Sequence, residues 1–288
     1  MTRAPRAAAH GRRVLGWALR WAWALLALAP FAALVVASLS FRWGWPDLLP
    51  SEWWWQARER VRLPIGWDYL LSPASRALSA LATSAAVAAL VTLLGLLVAW
   101  PAARVLAHER FRGRGAVELL LLTPLLVPEL AIALALAVGA LQLGLAGSVW
   151  GVAAAHLVPV VPYLIRTLTA VEHGLDRDVV DAARVHGAGA WAVLWHLRVP
   201  LLAPGVVAAA LFAFLVSVHS VVLTVLIGQG RVETTAVQLF ARLGGGAALD
   251  AVSAGLALLL TLPALLLLVV FDRVTRGRTD LSAALARA

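Results

Sequence analysis

Polar positions in this chain are gathered into short segments. Between them run six apolar stretches: Trp21–Leu39, Leu78–Trp100, Val117–Leu141, Val149–Ile165, Leu201–Ile227 and Ala251–Phe271. Each approaches the roughly 20 residues that a helix needs to cross the hydrocarbon of a bilayer. The fourth is the least regular, because Pro159 and Pro162 fall inside it. Proline is tolerated in a membrane helix where neighbours satisfy the freed carbonyls, so the pair marks either a kink lining a cavity or a structural bend. The pattern predicts an all-α membrane protein with about six transmembrane helices.

The segments between these stretches set the organisation. Residues 1–20 form a polar N-terminal segment, 21–39 the first transmembrane helix, and 40–77 an outer loop. Residues 78–271 form a core of five helices with a long polar loop at 166–200, and 272–288 form a tail. The chain start resembles the n-region of a signal peptide, but the apolar run after it is long enough to span and no small-x-small site follows. It is therefore expected to be an uncleaved first helix. With the N-terminus in the cytoplasm, seventeen arginines fall on inner segments and seven on outer ones. That bias predicts a multi-pass protein with both termini in the cytoplasm. The outer loop holds Trp43, Trp45, Trp53, Trp54, Trp55 and Trp67. Tryptophan favours the headgroup level, so the loop is expected to lie on the outer surface.

Composition agrees and narrows the chemistry. Hydrophobic residues make up 62% of the chain and charged residues 14%, against about 25% charged in soluble domains. The absence of Cys excludes disulfides and thiolate chemistry. The net charge of +9 does not point to nucleic acid, because the arginines flank apolar runs and act in orientation.

The loop at 166–200 has helical pattern of its own. Asp178 is placed to cap a helix, and Asp181 three residues later resembles the acidic half of a capping box. Arg184 and His186 follow near the C-terminal end, where positive charge is favoured. Gly187 then offers a left-handed stop. A second short helix is expected from Ala190 to Arg198, ending before Pro200. Ala182 and Ala183 would let another surface approach the first helix closely.

The spacing Asp181-Ala182-Ala183, three residues, Gly187, nine residues, Leu197-Arg198-Val199-Pro200 resembles the EAA loop of permease subunits of type I ABC importers. The usual pattern is Glu-Ala-Ala, three residues, Gly, nine residues, Ile-x-Leu-Pro. Here Asp181, Leu197 and Val199 replace Glu, Ile and Leu with their chemistry kept, while Gly189 stands where Ser or Thr is common. Pro101-Ala102-Ala103, Pro124 to Glu129 and Pro204-Gly205 through Phe214 extend the likeness over roughly residues 77–271. Pro128-Glu129 and Thr234 through Phe240 resemble the second permease of spermidine/putrescine importers; ferric iron, aminoalkylphosphonate and thiamine permeases share much of this. In the polyamine group an acidic pair often follows Phe-x-x-Ser of the fifth span, and here Val218-His219-Ser220 stands instead.

The resemblance implies the permease fold with a cytoplasmic coupling helix, and no catalytic, cofactor or metal site in this chain. It implies as partners a dimer of ATPase subunits that bind ATP and Mg, and a second permease, a different chain in preference to a second copy. A periplasmic or extracellular binding protein would deliver a small polar solute. Asp181, Ala182, Ala183, Gly187, Leu197 and Pro200 would couple to the ATPase. The absence of any G-x-x-x-x-G-K-[ST] loop agrees with this division of labour. Glu129, in the third stretch, with His219 and Ser220 in the fifth, are candidates for the substrate path, since an ionised carboxylate at membrane depth should face protein or water. The rival readings are a secondary transporter or channel and an intramembrane enzyme. The first predicts ionisable residues along several spans, whereas only Glu118, Glu129, His156 and His219 lie in or near them. The second needs a nucleophile set against a base, and Ser217, His219 and Ser220 are mere neighbours on one helix.

Overall fold

The computed structural model describes residues 5–44, 46–175, 177–245 and 250–285, with side chains from residue 16 to 273 apart from 18 and 177. Trp45 and the first four residues lie outside the described residues. Contacts divide the chain into two units. One comprises Met1–Arg76 with Arg242–Leu258, and the other Ala77–Ala241 with Leu259–Ala288.

In the first unit, helix α1 (Pro5–Leu39) runs directly into strand β1 (Ser40–Arg42), which pairs antiparallel with β2 (Glu52–Trp53). Two short helices follow, α2 (Trp54–Arg58) and α3 (Gly66–Leu71). The tryptophan-rich loop is thus folded. Trp53 stacks on Trp55 with ring centroids 5.0 Å apart, and Trp54 meets Trp55 edge-on. Ion pairs Arg58–Asp68 and Arg60–Glu52 close it at 2.9 and 2.8 Å.

The second unit holds most of the spans. Its helices are α4 (Ala77–His108), α5 (Arg114–Leu122), α6 (Glu129–Gln142) and α7 (Val149–His173), then α8 (Arg177–Val185) and α9 (Ala190–Ala192). A π-helical turn (Val193–Arg198) leads into α10 (Val199–His219), followed by α11 (Val222–Gly228) and α12 (Thr235–Gly244). The last helix is α13 (Ala251–Leu285). Five helices among the described residues are long and apolar enough to cross a membrane, and six if the bent α5–α6 pair counts as one span.

The core of this unit is where α4, α7 and α10 pack together. Small residues set the spacing. A Cβ at position 95 would lie 2.7 Å from Leu164 Cδ1, so Gly95 lets α4 lie close along α7. The fourth predicted stretch, the least regular in sequence, is the most enclosed: half of the apolar window in α7 is buried, against 28% or less in the other candidate spans. Its prolines are tolerated because it is surrounded by protein.

Four expectations need correction. The third stretch, Val117–Leu141, is not one helix: α5 and α6 meet at 93°. Pro124 starts a 3₁₀ turn at Thr123–Leu125 and Pro128 caps α6, so two donors are missing within five residues. The fifth stretch, Leu201–Ile227, is also broken, because Ser220 leaves the helix with ψ 103. The fourth stretch runs on as helix to His173, so Arg166 stands on α7 and the loop starts at Gly174. Finally, no short helix ends before Pro200, because helical structure is continuous from Ala190 to His219. The wider π turn accommodates the proline: Val199 N–H reaches back five residues to the Leu194 carbonyl.

Candidate functional site

Two places in the second unit gather the residues singled out from sequence. The first is α8 and its base. Asp178 does not cap this helix but lies in its first turn, and the residue before the helix, Asp176, lies outside the described residues. With Asp178 inside the helix, Asp181 is not the third residue after a cap; it is exposed and pairs loosely with Arg184 at 3.4 Å. The C-terminal end is as expected. Gly187 has φ +84, its N–H donates to the Arg184 carbonyl, and Ala188 N–H reaches the Ala183 carbonyl at 3.0 Å. This pair of bonds around a left-handed residue is the Schellman stop, which favours glycine.

The six coupling candidates are divided by this geometry. Asp181, Ala182 and Gly187 lie on the open face beside Val179, Val185 and His186. Ala183 and Leu197 are half-buried and pack inward, against a cluster of Leu175, Val180, Val193 and Leu202 with Trp100. Pro200 is half-buried at the start of α10. The open face of α8 is therefore small or apolar at Val179, Ala182 and Val185, while the opposite face is keyed into the helix ends below it.

Sequence reasoning missed what lies at the base. Glu172, on the last turn of α7, is 1% exposed, a rare state for a carboxylate without partners. Its Oε1 accepts from Trp100 Nε1 at 2.8 Å; its Oε2 meets His108 Nε2 at 3.1 Å and accepts from Arg198 Nη1 at 3.4 Å. Trp100 and His108 belong to α4, and Arg198 closes the π turn. Beside this cluster opens a polar cavity of ≈ 570 Å³ lined by Arg104, His108, Glu109, Asp181, Arg184 and Arg198 among others.

The second place joins the two helix breaks. Glu129 stands at the first position of α6, where a carboxylate complements the helix dipole. Ser220 Oγ donates to Glu129 Oε1 at 3.3 Å across the break between α10 and α11. His219 ends α10 with its Nδ1 on the Leu215 carbonyl. Glu129, His219 and Ser220 thus line one cavity of ≈ 360 Å³ with Pro124, Pro159 and Tyr163. Irregular backbone at membrane depth is tolerated where it lines a cavity.

Behind the cavity is a buried histidine. Thr224 Oγ1 donates its one proton to the Ser220 carbonyl at 2.7 Å, so it accepts from His156 Nε2–H at 3.0 Å. His156 Nδ1 meets Ser217 Oγ at 2.9 Å, which ties α7 to both halves of the broken span. The stretch Thr234–Phe240 opens α12, and Thr235 N–H donates to Ser84 Oγ of α4.

The fold defines a polytopic helical membrane protein. The chain belongs to the family of binding-protein-dependent transport system inner membrane components, whose model matches residues 92–277. It is similar to the spermidine/putrescine transport system permease protein PotC of Escherichia coli K12, at 26% identity over 74% of this chain and 77% of that one. It is 32% identical to the molybdenum transport system permease protein ModB of Mycobacterium bovis, over 54% of this chain and 62% of that one. With PotC of Haemophilus influenzae it shares 27% identity over 47% of its length, and it spans about half, 52%, of that relative. A bacterial ABC transporter involved in the import of the acidic polysaccharide alginate has the same fold, with TM-score 0.67 at 17% identity, covering 95% of this chain and 98% of that one.

Proposed function

We propose that this chain is the permease subunit of an ATP-driven importer, forming half of a solute path and receiving the ATPase on the open face of α8. The observation that carries this reading is α8 itself: a short helix with small side chains outward, stopped by Gly187 at positive φ and keyed inward to three span ends. On this reading ATP and Mg bind to separate ATPase subunits, a soluble receptor delivers the cargo, and a second permease, a different chain, completes the path. Both termini and α8 face the cytoplasm. The cargo is a small polar solute of the polyamine, thiamine, aminoalkylphosphonate or ferric iron class. The Glu129–Ser220–His219 cavity lies on its route, and the Glu129 carboxylate favours a cationic or zwitterionic one.

The test is Gly187→Val. A side chain in the left-handed region is penalised by about 1 kcal/mol or more, and β-branching raises this further. The end of α8 should be displaced, so receptor-stimulated hydrolysis and uptake should fall together at normal membrane insertion. Ala182→Trp, on the open face, should do the same, and a single cysteine at Val185 should be labelled from the cytoplasm only. Normal stimulated hydrolysis in both variants would sink the reading.

A further inference from the structure

Glu172 is the most buried charged group among the described residues, and neither the coupling motif nor the path includes it. Its position in the architecture is specific. It sits on the last turn of α7, next to the Gly174–Leu175 link that leads into α8. Its donors come from α4 (Trp100 and His108) and from the turn before α10 (Arg198). One carboxylate therefore holds the ends of all three core helices at the point where α8 joins them. The apolar cluster beside it, with Leu175 and Val180 on the α8 side and Val193 and Leu202 on the other, can slide by small repacking. Directed bonds to a buried charge cannot, because each one lost leaves a charge without its partner.

What lies at the other end of α10 gives this a purpose. The helix has 21 residues and so extends about 30 Å. It starts beside Arg198 and ends at His219 and Ser220, in the wall of the Glu129 cavity. Pro204 removes one backbone bond near the start of α10, but the helix continues through it to His219, so it transmits displacement along its axis provided its near end is fixed to whatever moves.

We infer that Glu172 is the positioning residue of the transport cycle: it clamps the base of α8 to α10, so that a push on α8 is delivered to the cavity as one rigid movement. The inference rests on α8 being the ATPase-facing element. Without the clamp, α8 still seats and hydrolysis still responds to the receptor, but the movement is dissipated at the loosened joint. The signature is therefore uncoupling, a fall in solute moved per ATP hydrolysed.

The experiment measures that ratio in proteoliposomes holding the complete importer. Glu172→Gln keeps the shape and removes the charge, and it should lower the ratio about tenfold, within the usual range of coupling free energies. Trp100→Phe keeps an aromatic ring and removes the N–H donor to Glu172; it serves if Glu172→Gln fails to fold, and should lower the ratio by a smaller factor. A merely structural role would reduce the amount of folded protein and leave the ratio per molecule unchanged. That result, in either variant, overturns the inference. Gly187→Val is the control for α8: if it changes neither hydrolysis nor uptake, the assignment of α8 falls and the clamp with it; if it abolishes both while Glu172→Gln and Trp100→Phe keep the ratio, the clamp alone falls.

Discussion

Where α10 begins, the neighbouring carboxylate is Glu172, fully enclosed with three donors within 3.4 Å; where α10 ends, it is Glu129, exposed and held by one hydroxyl at 3.3 Å. Both are carboxylates, and each touches a residue next to α10: Arg198 just before its start and Ser220 just after its end. The first is committed to its own protein, since both of its oxygens are engaged from inside. The second has capacity left over and faces a cavity. Saturation, more than the presence of a charge, separates a joint from a surface that can meet cargo.

The comparison is broken most easily at the closed end. Glu172→Ala leaves Arg198 buried without its counter-charge, which costs about 3–5 kcal/mol. Equilibrium unfolding in mixed micelles should show a loss of that order, and a loss below 1 kcal/mol would mean that the joint is not closed. His156→Leu sharpens the picture. It strands Ser217 and Thr224 just behind the open cavity, at about 1–3 kcal/mol for the unsatisfied groups, so the wall should prove tight where the lining is loose. The same unfolding assay reads it, and a neutral result would make the cavity soft throughout. The smallest change in stability should come from Glu129→Gln, within about 0.5 kcal/mol as at other exposed positions. Its effect belongs to uptake. If uptake and its pH dependence are unchanged in that variant, the Glu129 charge has no part in transport.

How much of this was legible in sequence follows from the range of each interaction. The helical membrane class was plain because hydropathy sums over neighbours along the chain. So was the stop at Gly187, where motif and geometry are both local. The breaks in the third and fifth stretches were not, because an apolar count has no direction in it. Pro124 and Pro128, four residues apart, were the available sign for one, and nothing local announces Ser220. Glu129 was placed inside a span, whereas it starts a helix. Glu172 escaped because its partners lie 72, 64 and 26 residues away. The one hint was an acid riding on the helical pattern beyond the predicted end of the fourth stretch.

The π turn at Val193–Arg198 has a consequence for how this chain can change length. A π turn carries one residue more than the α-helix it interrupts, so it is a register shift held in place by what surrounds it. Deleting one residue there would let α-helical winding run unbroken into α10. It would also turn everything after the deletion by about 100° around the axis. Arg198 would then point away from Glu172, or else His219 and Ser220 would leave the cavity wall. A single-residue deletion within 193–198 should thus be far more damaging than any single substitution there, and a compensating insertion before Ser220 should recover only one of the two alignments.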